Sequence, residues 1–255
     1  MKACIWCSKT EQETSFEKLA HTIPRSLGGT NICEQVCDKC NHYFGANRNS
    51  TPSVETILKG TFNIARARFL RTENEIGKNK VMSKFSSEYF KIDFKSSKLS
   101  LKYKYRLNKS FQSKIGHQMK RGLYKIFLEE NERQLRNSHN SRFDFIREFA
   151  RYDIGDYPVI YFERSNGVIA MVKDWYMNPE LILDSDKKMK YLIDHDSFVE
   201  FEFLGHVLGL ATSRNWHLVW NNYIKKTMKS KERFFKKVKL VDNFNDIDLA
   251  LSILD

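Results

Sequence analysis

Along the first fifty residues the apolar positions keep no helical or strand period. Cysteines, glycines and turn formers break them into short pieces, and the stretch reads as one compact segment. From Ser53 to about Arg71 the spacing turns helical, with Val54, Ile57, Leu58, Ile64, Ala65 and Phe69 on one side and Gly60 as the point where it splits in two. Thr72 to Lys80 is polar and reads as a loop. The period then falls to two. Phe90, Ile92 and Phe94 alternate with Lys91, Asp93 and Lys95; after a Ser-Ser-Lys turn, Leu99, Leu101, Tyr103, Tyr105 and Leu107 alternate with Lys102, Lys104 and Arg106. This pattern predicts an antiparallel hairpin with one apolar and one strongly basic face, either solvated or in contact with phosphate.

Ser110 to Arg136 reads as a long helix capped by Ser110, with Phe111, Ile115, Met119, Leu123, Ile126 and Phe127 on one stripe, and Phe143 to Phe149 continues helical after a polar break. Short apolar or alternating runs follow at Val159–Phe162, Val168–Val172, Phe198–Leu204, Val207–Ala211 and His217–Trp220, predicting a mainly antiparallel sheet. Lys225 to Lys239 is dense in Lys and Arg. Val241 to Asp255 is acidic, with Leu and Ile at helix-like spacing. The fold class is therefore α+β, with no internal repeat.

A chain of 255 residues allows one large domain or two modest ones. Its formal charge of +12 points to a polyanionic partner, of which nucleic acid is the commonest. No run approaches the roughly 20 apolar residues that span a bilayer, and Met1 to Cys7 holds no long apolar run of the kind that opens a signal peptide. A cytoplasmic protein with no membrane partner is the expectation.

All five cysteines lie between Cys4 and Cys40, a clustering that suits a metal better than a disulfide framework. Cys4-Ile-Trp-Cys7 and Cys37-Asp-Lys-Cys40 are two C-x-x-C pairs 29 residues apart. Two thiolates so spaced reach one ion from a tight turn, and a second pair completes a tetrahedral site that suits zinc. Cys33 is left over as a buried thiol, and its exchange with Cys37 as a ligand stays open at this level. Trp6, inside the first pair, is read as packing for that loop. Arg25 is a phosphate contact or a solvated charge. His117, His139, His195, His206 and His217 are read as surface or satisfied core residues.

Between the pairs lies Ala20-His21-Thr22-Ile23-Pro24-Arg25-Ser26-Leu27-Gly28-Gly29-Thr30-Asn31, and directly after the second pair comes Asn41-His42-Tyr43-Phe44-Gly45. The order H-x-I-P-x-S-L-G-G, then V-C-x-x-C-N-x-x-F-G, resembles the HNH endonucleases, whose ββα-metal core is held by a zinc knuckle. The resemblance covers residues 1–50. It implies an N-terminal zinc-stapled ββα-metal module followed, over 51–255, by a mixed helical and antiparallel-sheet region for substrate grip or partner docking, with a subdivision near 150.

The resemblance further implies a first strand ending at His21, a Gly28-Gly29 turn, a second strand, and a short helix carrying Asn41. His21 is then the general base that activates water for phosphodiester hydrolysis, oriented by Asn31. Asn41 ligates a catalytic Mg2+ or Mn2+, and Cys4, Cys7, Cys37 and Cys40 hold a structural Zn2+. The substrate is nucleic acid, with DNA the first expectation. A protein partner or a second copy is the companion expectation, by analogy with small nucleases of defence against foreign DNA. The chain departs from the family at Ala20, where many members carry an Asp or Glu metal ligand. Glu17 or His42 takes its place, or the ion is held more weakly, or the chain is a nuclease-derived binder that no longer cuts.

Overall fold

A long helix, α4 (Lys109–Leu135), forms the axis on which the other elements pack. From Ile115 to Glu132 every residue of it except His117 is buried. A helix with a single apolar stripe would bury one side. Here the polar side is covered as well, and buried charge is tolerable only when paired. Lys125 meets Glu129 at 3.0 Å, and Arg121 donates to Gln118 Oε1 at 2.6 Å and to the Tyr43 hydroxyl at 2.6 Å. Trp6 Nε1 donates to Glu129 Oε1 at 3.0 Å, and the Thr22 hydroxyl donates to Glu130. The charged face of α4 is thus the docking face for the cysteine-rich segment.

The structure, a computed structural model, describes residues 2–47, 51–76, 87–93, 98–166, 175–193 and 195–254. Before α4 come α1 (Asp38–Gly45), α2 (Val54–Ile76), the strands β1 (Phe90–Asp93) and β2 (Lys98–Leu101), and a single turn, α3 (Tyr103–Arg106). Gly60 does not split α2. A Cβ there would lie 2.7 Å from the Phe90 ring, so the glycine admits an aromatic side chain rather than breaking the helix. The helix also runs through Ile76, into the stretch expected as a loop.

β1 and β2 pair antiparallel from Phe90↔Leu101 to Asp93↔Lys98. The alternation expected through Leu107 stops at Leu101, because the Lys102 amide makes the final bond, to Tyr89 O, and β1 offers nothing beyond Phe90 to pair with. The chain coils instead into α3, stacking Tyr105 on Phe111 at 4.4 Å and leaving Tyr103 and Leu107 78% and 83% exposed. The cap of α4 is Asn108 rather than Ser110, its side chain accepting from the Phe111 amide at 2.9 Å.

After α5 (Asp144–Tyr152) a four-stranded antiparallel sheet forms from β3 (Val159–Arg164), β4 (Phe198–Phe203), β5 (His206–Ala211) and β6 (Phe235–Leu240), in the order β4-β5-β3-β6. The strand expected at Val168–Val172 falls outside the described residues. The one expected at His217–Trp220 is replaced by a 3-10 turn over Trp216–Leu218 and by α6 (Trp220–Lys231). Trp220, Tyr223, Ile224 and Thr227 have helical spacing, and Tyr223 stacks on Phe198 of the sheet at 4.1 Å.

The basic run therefore divides between α6 and the edge strand β6, where Lys236 and Lys237 are exposed, a placement that discourages edge-to-edge pairing. The acidic tail forms two 3-10 turns, Phe244–Asp246 and Ser252–Leu254, in place of the expected helix. Its apolar residues Val241, Phe244, Ile247, Leu249 and Leu251 join a main core that begins at Cys4. A second core lies between the sheet and α6. The fold is α+β as the patterning predicts, and among the described residues no helix is long and apolar enough to cross a membrane.

Candidate metal centre and catalytic site

Two loops bring the sulfurs together. The first turns at Cys4–Cys7, where the Ser8 amide bonds to Cys4 O at 2.8 Å and Ser8 takes a left-handed φ of 59°. In the second, Cys37 is the N-cap of α1 and Cys40 lies in its first turn. The Ile5 amide joins the loops through Gln35 O at 2.9 Å. The Sγ atoms of Cys4, Cys7, Cys37 and Cys40 lie within 4.8 Å of one another, with Cys7 and Cys37 3.7 Å apart. Zinc–sulfur bonds near 2.3 Å in a tetrahedron place sulfurs about 3.8 Å apart, so the group fits that ion.

Donors surround the thiolates. The Cys37 amide reaches Cys4 Sγ at 3.4 Å, and Arg151 Nε reaches Cys40 Sγ at 3.3 Å. Cys4 is pushed down to about 5, chiefly by a hydrogen bond from Cys40, with the amides of Cys37, Trp6 and Cys7 adding to it against burial. Cys33 lies outside the group. It is 2% exposed and its thiol is pushed up by burial, so the question of exchange resolves in favour of Cys37. Trp6 is core, packed edge-on against Phe44 at 4.9 Å.

The segment carrying His21 is a minimal β pair. His21 bridges Ile32, flanked by Thr22 N to Asn31 O at 3.0 Å and Cys33 N to Ala20 O at 2.9 Å. The turn between them needs its glycines. Gly28 has φ 92°, and a Cβ on Gly29 would lie 2.0 Å from the Ile23 carbonyl oxygen. This pair is clamped from α4: Lys125 Nζ donates to His21 O at 2.6 Å and to Thr22 O at 3.1 Å while facing Glu129 at 3.0 Å and Glu55 at 3.5 Å. Burial pushes Glu129 up to about 7 against the pull of Lys125.

Removing that cation would strand a buried carboxylate. Lys125→Met is expected to cost about 3–5 kcal/mol in a urea unfolding curve, and Glu129→Gln added to it should recover part of the loss. An unchanged midpoint in Lys125→Met would refute the clamp.

His21 is partly buried, and its pKa lies below the ordinary imidazole value. Burial is the main cause and the Arg25 charge the next; the Leu19 backbone opposes both. The Leu19 carbonyl accepts from Asn41 Nδ2 at 3.3 Å. Asn41, twenty residues beyond His21 and on a different element, is thus tied to the backbone two residues before it. With Nδ2 so engaged, Asn41 Oδ1 has no partner among the described residues and can serve as a ligand. The Asn31 side chain turns the other way, its amide lying 3.5 Å from Glu180 Oε2; its main-chain oxygen is what pairs beside His21.

Ala20 is 2% exposed, its methyl in the core. Glu17 and His42 are both exposed. Lys125, Glu55 and Arg151 act on this site from α4, α2 and α5. No local motif marked them, because each reaches the site only through tertiary packing.

No curated protein and no solved structure matches the chain. Residues 4–53, which hold the four sulfurs, the clamped His21 pair and Asn41, match the family model of the HNH endonucleases over about a fifth of the chain.

Proposed function

We propose that this protein is a metal-dependent endonuclease that hydrolyses phosphodiester bonds in DNA. The observation that carries the reading is that Asn41 bonds the Leu19 carbonyl, two residues before His21, beside a four-sulfur cluster that suits structural zinc. His21, neutral at physiological pH, takes the proton of a water molecule in line with the scissile phosphate. Asn31 holds the strand of that histidine through its main chain. Asn41 Oδ1 is the ligand for a divalent ion, Mg2+ or Mn2+. Such an ion supplies neutralisation of the charge that builds on the phosphate and the leaving oxygen.

The nucleic-acid grip is assigned to the segment Lys102–Lys114. It carries Lys102, Lys104, Arg106, Lys109 and Lys114 with no acidic residue, and its Tyr103 is exposed. A groove of about 540 Å³, lined by Asn47, Lys104, Tyr105 and Lys114 among others, connects it with the exit of α1. Phosphates need positive charge above precise geometry, and an exposed ring offers a face for a base.

Ala20 favours a second reading, a zinc-ribbon protein that binds nucleic acid and cuts weakly or not at all. Full-length protein that retains zinc but is freed of Mg2+ separates the two. Restoring Mg2+ or Mn2+ is expected to convert supercoiled plasmid to open or linear forms. Salt-sensitive association with no cleavage in either metal would favour the binder.

A further inference from the structure

Divalent Mg2+ and Mn2+ seek oxygen donors, and a site built on neutral groups alone holds them weakly. His21 and Asn41 are both neutral, and the Ala20 side chain offers no oxygen. The carboxylates of the neighbourhood differ in what they are free to do. Glu129 is fully buried between Trp6 and Lys125. Asp38 accepts from the Lys18 amide at 2.8 Å. Glu17 is exposed.

Glu55, in the first turn of α2, is placed differently. One of its oxygens lies 3.5 Å from Lys125 Nζ, the same ammonium that holds the His21 carbonyl at 2.6 Å. The other faces α1, where a Cβ on Gly45 would lie 3.5 Å from it. Gly45 is one helical turn beyond Asn41 and on the same face. The carboxylate is thus bracketed between the His21 strand and the Asn41 helix, and its side chain is 30% exposed. Its charge is also felt at the imidazole, where it favours the protonated form.

We propose that Glu55 supplies the anionic ligand of the divalent-ion site, from a helix outside the cysteine-rich module, in place of the carboxylate that Ala20 lacks. The proposal rests on the nuclease reading and adds one residue to it. α2 begins nine residues after Gly45, and its first turn packs back against α1. Lys125 then serves two ends: it fixes the backbone of the base and holds the carboxylate in register with it. The second oxygen of Glu55 is left on the α1 side.

The test is Mn2+ binding to the full chain with zinc retained, followed by calorimetry and by the electron paramagnetic resonance of free Mn2+. Glu55→Gln keeps the shape and removes the charge. It is expected to weaken Mn2+ binding about tenfold or more, while Glu17→Gln binds as wild type does. Equal affinity in Glu55→Gln and wild type overturns the assignment, as does a loss seen only in Glu17→Gln or an absence of Mn2+ binding by the wild-type chain. Should Glu55→Gln lose zinc or fold poorly, Glu55→Asp keeps the charge facing Lys125 and shortens the reach by one methylene. Its affinity is expected to fall, and an unchanged value overturns the proposal. Plasmid cleavage that disappears in His21→Ala, alongside unaltered Mn2+ affinity in Glu55→Gln, would remove Glu55 and leave the nuclease reading in place.

Discussion

Replacing His21 by alanine is expected to lower plasmid cleavage by about 10²–10⁴-fold, the usual contribution of a positioned general base, with the zinc content unchanged. The two effects separate because of where the residue sits. Its side chain is not one of the sulfur-site ligands, and its backbone remains held by Lys125 and by the bridge to Ile32. The pH profile gives an independent check. Burial and the Arg25 charge lower the His21 pKa, so the neutral base persists to more acidic pH than a free imidazole would allow. The acid limb of the profile should have its midpoint below 6.5 and be absent from whatever residual activity His21→Ala shows. Cleavage at the wild-type rate by His21→Ala would remove this histidine from the chemistry.

Stripping the zinc is the second large effect expected. Apart from α1, residues 2–47 contain isolated bridges, turns and one 3-10 turn, so few backbone hydrogen bonds support the module without its metal. Structural zinc in small modules contributes roughly 10–16 kcal/mol of apparent binding free energy at neutral pH, and that binding energy is folding energy. A strong chelator, or Cys37→Ser, should therefore expose the segment to proteolysis before residue 54 and lower the thermal midpoint of the whole chain. The loss spreads because the polar face of α4 depends on partners from the module: Trp6 to Glu129, Thr22 to Glu130 and the carbonyls of His21 and Thr22 to Lys125. Stoichiometric zinc by elemental analysis, lost together with the protease resistance, is the expected pairing. A zinc-free chain as stable as the loaded one would rule out a structural role for the cluster.

Much of the site is a local matter, and locality explains what the chain discloses in advance. A C-x-x-C pair has one short-range way to present two thiols, so the membership of Cys4, Cys7, Cys37 and Cys40 follows from spacing, and Gly28 follows from the left-handed turn it occupies. The helical period of α2 and α4, the alternation of β1 and β2 and the short apolar or alternating runs of β3, β4 and β5 are equally short-range signals. Failures occur where a short-range signal meets a distant constraint. Tyr103, Tyr105 and Leu107 alternate like a strand, yet β1 begins at Phe90 and the antiparallel pairing with β2 stops at Leu101. His217–Trp220 is apolar enough for a strand, yet Trp220 and Tyr223 find their partner in Phe198 of the sheet, which a helix reaches.

The amino-acid order alone disclosed the two C-x-x-C pairs, the likeness of the first fifty residues to the HNH endonucleases and the α+β class, since each is written in short-range spacing along the chain. Tertiary structure alone decided that the charged face of α4 is buried, that Lys125 grips the strand of His21, and that Glu55 stands between Lys125 and α1. Those facts depend on which elements meet, and a lysine destined for the interior has the same local spacing as one facing water until its carbonyls and carboxylates arrive from elsewhere.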